Sequence, residues 1–353
     1  MISSLQLAWL KSDDIAAQHA LLKRSPATGG VERNLPTLTL ALQLFVEANE
    51  DPASSTNFAA GPGSDPVEPL LELLQLVTAP GRSNNDEGIT TLSLLVLRTL
   101  KVLSRKRQNR ERLGGAALPV LLRMVAPSEG VRVASEGANV LLNLCYEPAI
   151  VEALLRTTGV QQLLSLLSAD DDDLQANAAG AIQSVSFIPA GRAAVLGSGG
   201  VAALAPLLRS SSARVLLRAA GAVHNLSSET GAIVQLRRGC SGPARRAAVA
   251  RGLGWVGVAG SAAGTLQNVS REVASRLIIR SLDAVPPLAR LLSSSDLQAQ
   301  VCAAGALLNI LGPDMANWPG GPAQRRALGR LMSSLMSMAI VYNSVFERVP
   351  VFS

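Results

Sequence analysis

Residues 220–226 read Ala-Gly-Ala-Val-His-Asn-Leu, and close variants of this phrase recur along the chain. The five copies occupy residues 138–144, 179–185, 220–226, 263–269 and 304–310. We call the sixth position the anchor; the anchors are Asn143, Ser184, Asn225, Asn268 and Asn309, which are separated by 41, 41, 43 and 41 residues. Five such periods indicate an array of structural repeats.

Weaker copies extend the array upstream. One surrounds Val102, 41 residues before Asn143, and another lies at 41–45, with a Pro/Gly/Ser-rich stretch at 51–65 between them. We predict a capping helix at 1–29, a repeat array at 30–312 with a flexible insertion at about 51–65, and a C-terminal cap or tail at 313–353. One period is degenerate at 239–260, where Gly and Arg replace the expected Leu pair; this stretch is either a functional insertion or an aberrant translation or splice product.

Each period contains a second apolar phrase before its anchor, as at 159–167, 200–208 and 284–292. Apolar residues in these phrases recur at steps of three and four, which is helical periodicity. Short polar breaks such as 168–173 and 293–296 offer Ser and Asp to cap the next helix. The pattern predicts an all-α solenoid with two long helices and a short leading helix in each period.

The composition restricts the function. Among 353 residues, 48% are hydrophobic, 16% charged and 3% aromatic, which excludes a disordered chain and disfavours a β fold. Three cysteines and two histidines give no pattern for a disulfide framework, a metal site or a catalytic centre, so we expect no catalytic residue, no metal and no cofactor. The uncharged stretches 252–270 and 331–346 are too polar or too short to span a membrane, and we expect no transmembrane segment.

The spacing and the phrases resemble the armadillo repeat family, well over 66–312 and poorly over 30–50. The matching features are a Gly that opens the second helix, as at Gly159 and Gly200, and an Ala-Leu-x-Asn-Leu phrase that ends the third. The resemblance implies a right-handed superhelix whose third helices line a concave groove. It also implies that the chain binds other proteins there and is not an enzyme.

The position four residues before each anchor distinguishes members of that family. Importin-α-type members carry Trp there, and paired Trp and Asn side chains grip lysine-rich signals. The residues at this position here are Arg98, Asn139, Gly180, Gly221, Gly264 and Gly305. The chain therefore resembles the catenin-like and vacuolar-anchor-like members, not the importin-α type.

Side chains four, seven and eleven residues before an anchor share its helical face. An Asn side chain offers two donors and two acceptors, so a row of them can hold the backbone of an extended peptide. The predicted groove residues are Arg98, Arg132, Glu136, Asn139, Asn143, Asn177, Ser184, Arg214, Arg218, Asn225, Ser261, Asn268 and Asn309. In the alternative interpretation, each anchor Asn bonds to the backbone of the neighbouring repeat and stabilises the stacking.

The formal net charge of +6 and the predicted groove arginines favour a partly acidic, extended protein partner. Two alternatives are a regulatory armadillo subunit that binds a nucleotide-like ligand or restrains an enzyme, and a nucleic-acid-binding protein. We disfavour nucleic acid, because the basic run at 104–112 has no interleaved aromatic residues on which bases could stack. We expect a monomeric array in the cytoplasm, and the basic run leaves entry to the nucleus open.

Overall fold

The computed structural model describes residues 39–40, 42–47, 49, 67–77, 87–239 and 256–311. These residues form helices and the turns between them, with no strand in the described ranges. The predicted caps at 1–29 and 313–353, the insertion at 51–65 and most of the degenerate stretch at 239–260 lie outside the described residues. The chain divides into two compact units, unit 1 at Met1–Ser198 and unit 2 at Gly199–Ser353.

Unit 1 contains eight described helices of more than six residues. In chain order they are α1 (Val67–Val77), α2 (Glu87–Leu103), α3 (Arg107–Met124), α4 (Val131–Leu144), α5 (Pro148–Leu155), α6 (Gly159–Ser165), α7 (Asp172–Val185) and α8 (Pro189–Gly197). Two 3-10 turns, Pro127–Glu129 and Leu166–Ser168, precede α4 and α7. The long α3 is bent at Gly114, whose φ of 43° and ψ of −149° are not helical.

In unit 2 the long helices are separated by shorter ones. Its described helices are α9 (Gly200–Leu204), α10 (Ala213–Leu226), α11 (Thr230–Gly239), α12 (Val256–Val269), α13 (Val273–Ser281), α14 (Val285–Leu291) and α15 (Leu297–Leu311). A 3-10 turn at Pro206–Arg209 follows α9. We call α2, α4, α7, α10, α12 and α15 the ladder helices, because each contains one anchor or, in α2, its counterpart Val102.

Local sequence signals explain where these helices begin. The carboxylate of Asp171 accepts a hydrogen bond of 2.7 Å from the Leu174 N–H and caps α7, and Asp296 caps α15 in the same way, accepting from the Ala299 N–H at 3.3 Å. The second helices α6 and α9 begin at Gly159 and Gly200, as predicted.

The expected length of the second helix was wrong. The phrases at 159–167 and 200–208 form short α-helices that end in 3-10 turns, so these periods contain two short helices and one long ladder helix. In unit 2 the reason is Pro206, which has no backbone N–H to continue the α-helical bonding of α9.

The ladder helices pack side by side within each unit. In unit 1, α4 contacts both α2 and α7; in unit 2, α12 contacts both α10 and α15. The largest fully buried side chains are Leu70, Leu74, Leu92, Leu97, Leu100, Leu103, Leu113, Leu121, Met124, Leu141, Leu144 and Leu154. Each such side chain stabilises the fold by roughly 1.5–3 kcal/mol, and stacking supplies the apolar surface that a single repeat lacks.

Of the described helices, none is by itself long and apolar enough to cross a membrane; only the consecutive pair at 189–197 and 200–209 reaches that length and apolarity together.

Candidate functional site

The anchor Asn side chains connect consecutive ladder helices. The Nδ2 of Asn143 donates to the Ser104 hydroxyl at 2.9 Å and to the Lys101 carbonyl at 3.3 Å, both at the end of α2. In unit 2, Asn268 donates to the Ser227 hydroxyl at 3.0 Å, and Asn309 donates to the carbonyl of Gln267 at 3.1 Å. These three anchors therefore bond to the preceding repeat. Asn143 and Asn309 reach its backbone, as the stacking interpretation predicts, whereas Asn268 bonds to a side chain.

These bonds leave part of each amide for other contacts. They use Nδ2, and within the described ranges no hydrogen bond is found for the Oδ1 of Asn143, Asn268 or Asn309. All three residues are half-buried, so one side of each amide reaches the surface. An amide oxygen has two lone pairs and can accept a bond from a backbone N–H of another chain.

Two predicted groove residues are buried and do not line the surface. Asn177 is 5% exposed and donates to the carbonyl and hydroxyl of Ser135 at 3.0 and 3.1 Å, which ties α7 to α4. Ser184 is 2% exposed. The prediction that these two side chains would be available to a partner was wrong, because α7 packs closely against α4.

Two other predicted groove residues pair with each other. The guanidinium of Arg98 lies 2.8 Å from the Glu136 carboxylate, and Lys101 lies 3.1 Å from the same carboxylate. This ion pair joins α2 to α4 and offsets part of the positive charge that we expected along the groove of unit 1.

The remaining predicted residues lie on ladder helices with more surface. Arg132 on α4 and Arg214 on α10 are exposed. The residues that are half-buried are Asn139, Arg218, Asn225 and Ser261. The more basic part of the described ladder helices is therefore α10, which contributes both Arg214 and Arg218.

Glycine four residues before an anchor makes room for a side chain of the preceding repeat. A Cβ atom at Gly264 would lie only 2.6 Å from Cε1 of His224, and one at Gly305 would lie 2.7 Å from Cδ of Gln267. His224 and Gln267 each immediately precede an anchor. Burial in this contact lowers the pKa of His224, which favours the neutral imidazole.

The hydrogen-bond partners of the anchors were not predicted from the sequence. Ser104 and Ser227 each lie two residues after the anchor position of their own repeat and accept from the anchor of the next. Serine recurs at this position as Ser104, Ser186, Ser227 and Ser270. That recurrence is visible in the sequence, whereas the bond that it makes is not.

Three arginines that donate hydrogen bonds to carbonyls at the ends of the ladder helices were also not predicted from the sequence. The guanidinium of Arg110 donates to the Arg105 carbonyl at 3.0 Å; Arg192 donates to Phe187 at 3.0 Å and Arg276 to Ser270 at 2.7 Å. The three arginines are two periods apart along the chain, so the repeat spacing could have revealed them. Each satisfies carbonyls that a helix end leaves unpaired.

The described cysteines are structural. Burial raises the pKa of the Cys145 thiol to about 12 and also raises the pKa of Cys302, so both stay protonated at neutral pH and are poor nucleophiles. Both are free thiols. In the described ranges no three His, Cys, Asp or Glu side chains lie close enough together to hold a metal ion.

Comparison with known proteins agrees with this geometry. Residues 189–228 match the Armadillo/beta-catenin-like repeat family. No curated protein is significantly similar in sequence.

Solved structures show the same fold. An engineered protein from the Northeast Structural Genomics Consortium superposes with a TM-score of 0.60 at 24% identity, over 69% of this chain and 96% of that chain. The designed armadillo repeat protein YIII(Dq)4CqI gives 0.59 at 18% identity, over 68% and 99%. A designed armadillo repeat protein in complex with the peptide (KR)4 gives 0.57 at 18%, also over 68% and 99%. The fold is therefore an α-solenoid of armadillo repeats.

Proposed function

We propose that this chain is a non-enzymatic scaffold that binds an extended segment of a partner protein along its ladder helices. The observation that carries the proposal is the pair of half-buried anchor amides on consecutive ladder helices of unit 2, Asn268 and Asn309; Asn143 holds the equivalent position in unit 1. Each is held in place by a bond to the preceding repeat, so its orientation is set before a partner arrives. Such preorganisation lowers the entropic cost of binding.

The chemistry of the row suits a polypeptide backbone. Side-chain amides recognise backbone N–H and C=O groups without regard to sequence, and consecutive repeats place them at intervals along an extended chain. A designed armadillo repeat protein of the same fold binds the peptide (KR)4. That likeness supports the fold, and the choice of partner here has to come from the side chains of this chain.

Those side chains favour an acidic partner. In unit 1 Arg98 pairs with Glu136, and in unit 2 the ladder helix α10 carries the two basic residues Arg214 and Arg218. Gly264 and Gly305 are covered by His224 and Gln267, and no Trp stands at the equivalent positions to form the cage that importin-α-type proteins offer to lysine. We therefore assign the chain to the catenin-like or vacuolar-anchor-like type, with carboxylates of the partner meeting the arginines of α10.

The remaining parts of the proposal follow from the thiols and the repeat architecture. Cys145 and Cys302 are buried and free, which supports a reducing compartment such as the cytoplasm. Their raised pKa values support a role without covalent catalysis. We propose that the chain acts as a monomeric array. The alternative, a regulatory subunit that binds a nucleotide-like ligand, stays a prediction that calorimetry with nucleotides and sugar phosphates tests.

Charge reversal tests the groove. The double variant Arg214→Glu and Arg218→Glu should weaken binding of a synthetic Asp/Glu-rich extended peptide at least tenfold, because each charged hydrogen bond contributes roughly 1.5–3 kcal/mol. The matched control is Arg156→Glu with Arg290→Glu, which makes the same change of charge on exposed residues outside the ladder helices. Equal loss of affinity in both double variants, measured by fluorescence anisotropy at fixed salt, would contradict the proposal.

A further inference from the structure

Two exposed aromatic side chains lie next to each other in unit 1, outside the row of anchors. Tyr146 and Phe187 each follow an anchor position by three residues, in the turns after α4 and α7. Their ring centroids are 6.4 Å apart and their planes are inclined by 35°. Tyr146 is 50% exposed and Phe187 is 52% exposed, although these are two of only ten aromatic residues in the chain.

Arginines surround the two rings. Cζ of Arg110 lies 5.9 Å from the centroid of the Tyr146 ring, in cation–π range. Arg192 donates to the Phe187 carbonyl at 3.0 Å. Arg107, whose side chain is 76% exposed, lies 3.9 Å from the Glu147 carboxylate, next to Tyr146. We call Tyr146, Phe187, Arg107, Arg110 and Arg192 the edge patch.

Basic residues outnumber acidic ones in the edge patch and the adjoining run at 104–112. Among the described residues, Glu147 lies 2.8 Å from Arg110 and Glu111 lies 2.8 Å from Arg107. The basic residues are the three patch arginines and the rest of the run. Those other basic residues are Arg105, Lys106 and Arg112. Residues 107–112 of the basic run form the start of α3.

We propose that the edge patch binds single-stranded nucleic acid. The basic run has no aromatic residue of its own, but the fold brings Tyr146 and Phe187 from the next two repeats beside it. Exposed aromatic rings in a positively charged surface are the two components that sequence-tolerant binding of single strands requires: bases stack on the rings, and arginines attract the phosphates.

Stacking on these rings requires a single strand. Successive bases in a duplex strand are about 3.4 Å apart and hide their faces from solvent. Tyr146 and Phe187 can therefore stack only with the bases of an unpaired strand. This site is separate from the row of anchors and does not depend on the protein-binding function proposed above.

A protein partner would use the same rings differently. Apolar contact with a peptide is provided nearly as well by an aliphatic side chain, whereas stacking with a base requires a π face. Leucine substitutions therefore separate the two classes of partner. They retain apolar surface and, at half-exposed positions, change stability little.

The test measures binding of the full chain to a fluorescein-labelled oligothymidylate of about 20 nucleotides, long enough to cover a site of about 4–16. Tyr146→Leu and Phe187→Leu should each weaken binding about tenfold, since one stacked base contributes roughly 1–3 kcal/mol. Arg107→Gln should reduce the slope of log affinity against log salt by about 0.7. The matched control Arg290→Gln, an exposed arginine in unit 2, should leave affinity nearly unchanged.

Four results would overturn the proposal. The first is no binding of the oligonucleotide at low salt, and the second is equal binding of a duplex of the same length. The third is unchanged affinity in both leucine variants. If a peptide of alternating Glu and Leu displaces the oligonucleotide and binds the leucine variants as well as the parent, the edge patch is a protein-docking surface and the nucleic-acid assignment is wrong.

Discussion

Replacing Asn143 by Ala should loosen the stacking of α4 on α2. The substitution removes the bonds of 2.9 Å to Ser104 and 3.3 Å to Lys101, and Ser104 is 0% exposed, so water cannot replace the lost donor. A neutral hydrogen bond contributes about 1 kcal/mol, which makes the expected loss about 2 kcal/mol. The matched control is Asn139→Ala on the same helix, because Asn139 is half-buried and no hydrogen bond of its side chain is found within the described ranges.

The assay is amide hydrogen exchange together with a double-mutant cycle. In a repeat array each repeat contacts only its neighbours. The protection of the α4 amides against hydrogen exchange should therefore fall by a factor of about 30, while that of α15 is unaffected. Combining Asn143→Ala with Ser104→Ala should show a coupling of about 1 kcal/mol in urea unfolding, since the two side chains share one bond. Equal effects of Asn143→Ala and Asn139→Ala, or no coupling with Ser104, would refute the idea that the anchor holds the repeats together.

Three further substitutions test the structure. Gly191→Ala should cost roughly 1–3 kcal/mol of unfolding free energy, because its Cβ would lie 2.9 Å from the carbonyl carbon of Val185 and closer still to the oxygen; Gly197→Ala in the same helix meets no atom within 4 Å and should be tolerated, so similar melting temperatures would contradict the predicted clash. Asp283→Gly should stabilise the chain by roughly 1 kcal/mol, as Asp283 has a φ of 57°, and a lower urea midpoint would count against this. Because burial lowers the pKa of His224, its contribution to stability is complete above the unfolded pKa of about 6.5 and is lost as the pH falls towards the folded value. His224→Gln should therefore reduce the loss of stability on acidification below that pH, and an unchanged pH profile would be the contrary result.

The repeats and their local signals are readable from the sequence. The recurring Ala-Gly-Ala phrase predicts where the ladder helices lie, Gly159 and Gly200 mark the start of second helices, and the acidic turn before α7 predicts its cap at Asp171. These features depend on residues close together in the chain, and short-range periodicity and capping describe such contacts well.

Contacts between repeats were decided by the tertiary structure. The helical periodicity predicts a surface position for Asn177 and Ser184, but close packing of α7 on α4 buries both. Arg98 and Glu136 were expected to face a partner and instead lie 2.8 Å from each other. The repeat period and the apolar face of each helix specify which helices are neighbours. The distance and rotation between neighbouring helices then decide which side-chain atoms come into contact.

A helical array with a period near 41 residues and an Asn at most anchors follows from the sequence alone, because each repeat encodes its own helices. Stacking of the repeats brings Asn143 and Asn268 to serines at the ends of the preceding ladder helices. It also places Tyr146 and Phe187 together beside Arg110. Residues one period or more apart become neighbours through stacking, and their separation is set by how the buried leucines of adjacent helices fit together.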